Sequence, residues 1–264
     1  MQAAMLDLSF SVQELEYFLL ILVRISAFVF VAPFFSTKGI PNRVKIALSV
    51  FVAYLMYAYN QPHIYPEYRT ILGYSVIVLK EAAVGLFLGE GTQLVTTIIS
   101  FAGRIIDMEV GLSMANVFDP TTNQQTSLTG VIFQYGTMII LYTTGLHRYL
   151  LKALAETYQL IPVNGMKPNV EHLLQTVITF LGEYIIIGFR ICLPVFASIT
   201  LMNIILALLA KLAPQMNMFS VGIQLKLLAG LSVLVLMIGM LPDICDFITN
   251  QMQKMMVSIV EGMM

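Results

Sequence analysis

Charge is what this chain has least of: only 11% of its residues are Asp, Glu, Lys or Arg, against roughly 25% in soluble domains. With a net charge of −1 there is no basic face for nucleic acid, and nucleic acid is not an expected partner. The 2 cysteines, Cys192 and Cys245, have no CxxC spacing and both lie in or beside apolar runs, so they read as small buried hydrophobes. The 3 histidines, His63, His147 and His172, stand far apart. There is no HExxH and no GxxxxGK[ST], so neither a metal site nor ATP hydrolysis is expected of this chain, and no cofactor. Residues 1–17 carry no Lys or Arg and hold Asp7, Glu14 and Glu16, so a cleavable secretion signal is not expected.

What is abundant is apolar sequence, 58% of 264 residues with a mean hydropathy of +0.83. Apolar runs fall near residues 15–35, 44–59, 71–101, 128–146, 177–209 and 219–241. About 20 such residues cross a bilayer as a helix. The runs are continuous, whereas barrel strands alternate over about ten residues. The expectation is an all-α membrane protein of six segments, folded as long hairpins within one domain, residues 1–264. A four-segment part (1–146) precedes a polar connection (147–172), followed by a two-segment part and tail (173–264).

Breaks follow from turn chemistry. Pro33, Gly39 and Pro41 predict a stop and restart between the first two segments, with Gly39 as the stop and Pro41 near the next first turn. Pro62 and Pro66 mark a second loop. His147 and Arg148 follow Gly145 at the end of a segment, where cations favour a helix C-terminus. The tail holds Met252, Met255, Met256, Met263 and Met264, a composition that suits either a deformable contact surface or an amphipathic tail.

Two runs are unlike plain spans. Lys80, Glu81 and Glu90 interrupt one, and Glu183 and Arg190 the other, where Pro194 also predicts a kink. Over residues 177–197, about twelve Leu, Ile, Val and Phe at roughly −0.5 kcal/mol balance two charges at roughly +3 each, so insertion is near neutral. Such a helix needs protein neighbours. Glu183 and Arg190, seven apart, project from the same face and are expected to pair. The positive-inside count ties for six alternating spans, with Lys38, Arg43, Lys45, Arg104 and Lys211 against Arg69, Arg148, Lys152, Lys167 and Lys254.

Buried charges are therefore the candidate functional set: Arg24, Lys80, Glu81, Glu90, Arg104, Asp107, Glu109, Glu183 and Arg190, for packing, gating or relay. Arg104 and Asp107 are spaced to pair, with Glu109 close by. The second candidate is the loop Gly111-Leu112-Ser113-Met114-Ala115-Asn116-Val117-Phe118-Asp119-Pro120. It is flexible and mostly apolar where a polar connection would be usual, and it fits a pore plug or an ordinary buried connection. Asp119 and Pro120 suit a helix start.

That loop, with Gly145-Leu146-His147-Arg148, Pro162 and Ala213-Pro214-Gln215-Met216-Asn217-Met218-Phe219, resembles in order and spacing the FliR family of flagellar export proteins. The stretch from Arg24 to Pro33 and Ile40-Pro41-Asn42-Arg43-Val44-Lys45 fit it as well, so the likeness covers nearly the whole chain. Leu146 departs from the Gly-His pattern of the family. The resemblance singles out Ala213, Pro214, Gln215, Asn217 and Phe219 as a motif after the fifth segment.

The resemblance implies an inner-membrane subunit of the bacterial type III export apparatus at the flagellar basal body, a conduit for unfolded flagellar proteins driven by other components. It implies FliP-type and FliQ-type partners, an FlhB-type neighbour and contact with membrane lipid. It implies a closed helical assembly displaced towards the periplasmic side, and a plug at residues 108–125. The alternatives are the equivalent subunit of a virulence injectisome and a stand-alone secondary transporter with a re-entrant loop.

Overall fold

The computed structural model describes residues 12–37, 39–60, 65–68, 70–113, 127–215 and 217–264. Eight α-helices occur among them, and no strand. These are α1 (Val12–Val31), α2 (Asn42–Tyr59), α3 (Ile71–Val110), α4 (Leu128–Thr143), α5 (Leu146–Leu160), α6 (Val170–Leu212), α7 (Met218–Met237) and α8 (Leu241–Glu261), with a 3-10 turn at Ile238–Met240 before α8. The all-α expectation holds. The six-segment reading is redrawn: by length and composition, α3, α6 and the joined stretch Ser220–Glu261 can cross a membrane, at 40, 43 and 42 residues. The fourth expected segment stops at Thr143, and the sixth runs on into the tail because Ile238–Met240 keeps a helical backbone.

The chain divides into two compact units that interleave in sequence. Unit 1 comprises Met1–Gln93, Arg148–Thr176 and Met255–Met264. Its core sets Leu20, Ile21, Ile25 and Phe28 of α1 with Val84 and Leu88 of α3 and Leu150 and Leu154 of α5, all buried. Close approach of α1 to α3 requires small residues one turn apart. A Cβ on Gly85 would stand 2.1 Å from the Arg24 carbonyl oxygen, and one on Gly89 3.2 Å from that of Phe28. The turn after α1 departs from expectation. Phe34, not Gly39, takes the left-handed backbone (φ 72°), because Pro33 ends the helix earlier than Gly39 could. Pro41 does directly precede α2, with its carbonyl accepting from the Val44 amide at 2.9 Å.

Helix α5 lies inside the stretch read as a polar connection. Its apolar residues Leu146, Leu150, Leu154 and Tyr158 recur every fourth position and are buried, while Lys152, Glu156 and Gln159 are exposed. His147 and Arg148 consequently sit in the first turn of α5 rather than beyond a helix end. Beyond α5 the chain turns at Asn164 (φ 67°) and pairs its backbone with the C-terminus, Lys167 N to Met263 O at 3.0 Å and Asn169 N to Gly262 O at 2.9 Å. Met255, Met256 and Met263 are buried in this unit, so the contact-surface reading does not apply to them. Met264 alone of the tail methionines is exposed.

Unit 2 comprises Leu94–His147 and Val177–Lys254. Val95, Ile98, Ala102 and Ile106 of α3 are buried here, as are Ile187, Ile191, Val195 and Ile199 of α6. Helices again meet at glycines. A Cβ on Gly103 would stand 2.2 Å from Gly130 Cα, one on Gly188 2.3 Å from the Phe101 ring, and one on Gly230 2.5 Å from Val110. Cys192 and Cys245 are buried and free, Cys245 donating weakly to the Thr137 carbonyl at 3.9 Å. Met252 is buried in this unit too.

Gly103→Ala is expected to destabilise by about 1–3 kcal/mol, since its methyl meets backbone that cannot rotate away. Gly182→Ala, in the helical interior of α6 with nothing within 4 Å, is expected to be neutral or to stabilise by about 0.5–1 kcal/mol. Thermal unfolding of the two variants in detergent, followed by far-UV circular dichroism, checks the contrast.

Candidate functional site

Two constellations stand out, one in each unit. In unit 1, Arg24 is wholly buried on α1. A bare guanidinium could not occupy that position, and three groups answer it. Its Nε donates to Glu81 Oε2 at 2.6 Å, its Nη1 donates to the Ile161 carbonyl at 2.9 Å, and its Cζ lies 4.2 Å from the centre of the Tyr158 ring. Glu81 Oε1 in turn accepts from the backbone N–H of Asn164 at 2.9 Å. The left-handed turn at Asn164 aims that amide at α3. Tyr158 donates its hydroxyl to the Ile21 carbonyl at 3.2 Å, and Lys80 Nζ donates to Asn164 Oδ1 at 3.4 Å. One acidic and one basic side chain therefore join α1, α3, α5 and the turn after α5. Burial pushes the Tyr158 hydroxyl well above its ordinary range.

In unit 2 the structure builds both feet of the loop. Helix α3 ends at Val110, and Gly111 takes φ 93°, a left-handed conformation that closes a helix C-terminus. The Asp107 carbonyl accepts from the amides of Gly111 (3.1 Å) and Ser113 (3.2 Å). The carboxylate of the same residue accepts from the amide of Thr129 at 3.2 Å, and Ser127 Oγ, as N-cap, accepts from Gly130 N at 2.8 Å. Asp107 thus terminates one helix with its backbone and starts the next with its side chain. Beside the N-terminal foot lies a groove of about 420 Å³, lined by Glu109, Gly111 and Ser113 and by Asn203, Leu206 and Lys226. Of the loop motif, Gly111, Leu112 and Ser113 are described. Met114, Ala115, Asn116, Val117, Phe118, Asp119 and Pro120 lie outside the described residues, so the helix start expected at Asp119 and Pro120 does too.

The expected buried charges separate. Arg24, Glu81 and Asp107 are buried, Lys80, Glu109 and Glu183 are half-buried, and Glu90, Arg104 and Arg190 are exposed. Asp107 does not pair with Arg104: its carboxylate faces α4 while Arg104 projects from the outer face of α3. Glu183 and Arg190 form no ion pair either, because two helical turns separate them by about 10 Å along the axis. Among the described residues the ion pairs are Arg24–Glu81 and the exposed Lys152–Glu156. Ala213, Pro214 and Gln215 form the corner after α6, Asn217 Oδ1 caps α7 by accepting from Ser220 N at 3.4 Å, and Phe219 lies in the first turn of α7. No group of His, Cys, Asp and Glu able to hold a metal occurs among the described residues.

Sequence reasoning missed Tyr158, Ile161 and Asn164 as partners of Arg24, and Ser127 and Thr129 at the second foot. The every-fourth-residue apolar pattern of α5 was the available signal for Tyr158. No sequence signal marks a carbonyl such as that of Ile161.

A family model described as bacterial export proteins, family 1, matches residues 15–252. The chain belongs to that family. Among similar proteins are flagellar biosynthetic proteins FliR. That of Bacillus subtilis (strain 168) is 31% identical over 221 residues, 83% of this chain and 84% of the relative. Those of Aquifex aeolicus (strain VF5) and Escherichia coli (strain K12) are 29% and 24% identical, covering 87% and 90% of each chain. As a FliR-family export protein with three membrane-length apolar helices among the described residues, the chain is a membrane-embedded component of the flagellar export apparatus.

Arg24→Met and Glu81→Leu are each expected to cost about 3–5 kcal/mol, because each strands a buried charge, and the double variant markedly less. Thermal melts of the three variants in detergent form the cycle that tests it. Asp107→Ala is expected to cost about 1 kcal/mol through loss of the cap on α4, with Asp107→Asn retaining most of it. Since Tyr158 is held neutral by burial, its contribution is full below its ordinary value of 10.0 and is lost as pH rises above it. Denaturant midpoints from pH 8 to 11, compared with those of Tyr158→Phe, check the sign.

Proposed function

We propose that this chain is a structural pore subunit of the flagellar type III export gate, assembled with FliP-type and FliQ-type subunits beside an FlhB-type protein in the bacterial inner membrane. It conducts unfolded flagellar proteins, and the loop within residues 108–125 plugs the conduit at rest. The observation that carries the reading is the pair of anchored feet. Asp107 and the Gly103–Gly130 contact hold the two ends of an apolar connection together on a rigid base. A tethered apolar segment can close a passage and be displaced from it without unfolding its support. The chain itself supplies position and closure, and the driving force comes from other components.

The lengths of α3 and α6 support the assembly. At about 1.5 Å per residue they run to roughly 60 Å, twice a hydrocarbon layer of about 30 Å. Part of each therefore lies against protein or beyond the lipid, which supports a subunit that packs within a larger complex. The flagellar names of the relatives favour flagellar over virulence export.

Co-expression of the tagged chain with FliP-type and FliQ-type subunits is expected to yield a mixed complex by native mass spectrometry. Deleting residues 112–118 is expected to raise ion conductance of that complex in planar bilayers at least tenfold. Unchanged conductance would sink the plug. Recovery of the chain alone, with solute uptake in liposomes, would favour a transporter.

A further inference from the structure

Where α1 begins beside the residues that lead into α3, unit 1 holds a cavity of about 610 Å³. Glu16 and Tyr17 of α1 line it, with Tyr65, Glu67 and Tyr68 ahead of α3 and Tyr74 in the first turn of α3. That volume falls within the roughly 300–1,000 Å³ of small-molecule sites. Its walls are aromatic. Tyr17 and Tyr65 meet edge-on, with ring centres 5.9 Å apart and planes at 75°, and Tyr68 and Tyr74 are inclined at 51° with centres 5.3 Å apart. Tyr68 donates its hydroxyl to Glu16 Oε2 at 2.5 Å and Tyr74 donates to the Glu16 carbonyl at 3.3 Å, so both phenols turn towards one residue.

The charge of this cavity has one sign. Glu16 and Glu67 line it, and none of its described lining residues is Lys, Arg or His. An anion is therefore repelled, and a neutral ligand would make no use of either carboxylate. A bare metal ion does not suit it, since no metal-holding group of His, Cys, Asp and Glu occurs among the described residues. Aromatic faces and carboxylates together attract an organic cation. A ring quadrupole draws an ammonium group to within about 6 Å of its centre, and the methyl or methylene groups around the nitrogen lie against the ring.

We propose that this cavity binds an organic ammonium group, primary or quaternary, with Glu16 and Glu67 as counter-charges and the rings of Tyr17, Tyr65, Tyr68 and Tyr74 as walls. It opens ahead of α3, a membrane-length helix whose first residues, Ile71 and Leu72, are 86% and 79% exposed. Tyrosines gather where such helices meet the water interface. A phospholipid headgroup is therefore one source of the ammonium, and a free amine is the other. The site needs no partner subunit and stands apart from the gate reading.

The test uses the full chain in an uncharged detergent, titrated calorimetrically with choline chloride and with ethanolamine hydrochloride. Choline is expected to bind saturably with a Kd of about 1 mM, and its neutral tert-butyl isostere about tenfold more weakly. Glu16→Gln, and Glu67→Gln at an exposed position, are each expected to weaken choline about fivefold. Tyr65→Leu is expected to do the same while Tyr65→Phe stays within about twofold, because the ring face rather than the hydroxyl meets the cation. Thermal melts by circular dichroism show that each variant is folded. Native mass spectrometry of the chain taken from vesicles of equal phosphatidylethanolamine and phosphatidylglycerol separates the sources. Retained phosphatidylethanolamine that Glu67→Gln releases assigns a headgroup, and choline binding without lipid preference assigns a free amine. Absence of saturable binding of either amine overturns the proposal, as does equal affinity for the neutral isostere. Binding seen only in Arg69→Gln, a change next to Tyr68 at a position outside the described residues, gives the cavity to the chain's own guanidinium and overturns it too.

Discussion

Unit 1 depends on a charge that water cannot reach. Arg24 is tolerable inside α1 only because Glu81, the Ile161 carbonyl and the face of Tyr158 converge on it, and each comes from a different place in the chain. Buried ion pairs contribute little net stability against apolar replacements, since desolvation offsets attraction. What they contribute is selectivity of arrangement. Any register of α1 on α3 that slips by one residue strands both charges, and any path after α5 that misses the Asn164 turn leaves Glu81 short of a donor. The glycines at 85 and 89 serve the same register from the steric side, by letting the backbones approach where the pair requires it.

Unit 2 solves a different problem, holding the end of α3 and the beginning of α4 together. Asp107 does this with two parts of one residue, its carbonyl accepting from the end of α3 and its carboxylate from the beginning of α4. Gly103 and Gly130 remove the side chains that would keep the two helices apart. The result is a clamp built from residues of the two helix ends.

The third constraint is length. Helices of 40 and 43 residues with exposed apolar faces exceed what a bilayer can solvate, and each carries an exposed charge near its middle, Glu90 in α3 and Arg190 in α6. In a soluble protein such faces would aggregate, and in a plain membrane protein the charges would offset most of the apolar gain. Both features are consistent with a subunit completed by its neighbours.

Much of this was legible in the residues. Composition and unbroken apolar runs determined an all-helical membrane protein, because segments without alternation can satisfy their backbone in lipid only as helices. The motif containing Asn116 and Asp119 and the corner from Ala213 to Phe219 determined the family, and turn chemistry placed Pro41 correctly. Which charges are buried could not be read, because burial is a property of helix faces after packing. Nine charged positions looked alike in the sequence, yet tertiary structure buried Arg24, Glu81 and Asp107 and left Glu90, Arg104 and Arg190 outside. The partners of Arg24 and Asp107 were beyond reach for the same reason: backbone groups of Ile161, Asn164 and Thr129 carry no side-chain signature, and only the folded chain brings them within hydrogen-bonding distance.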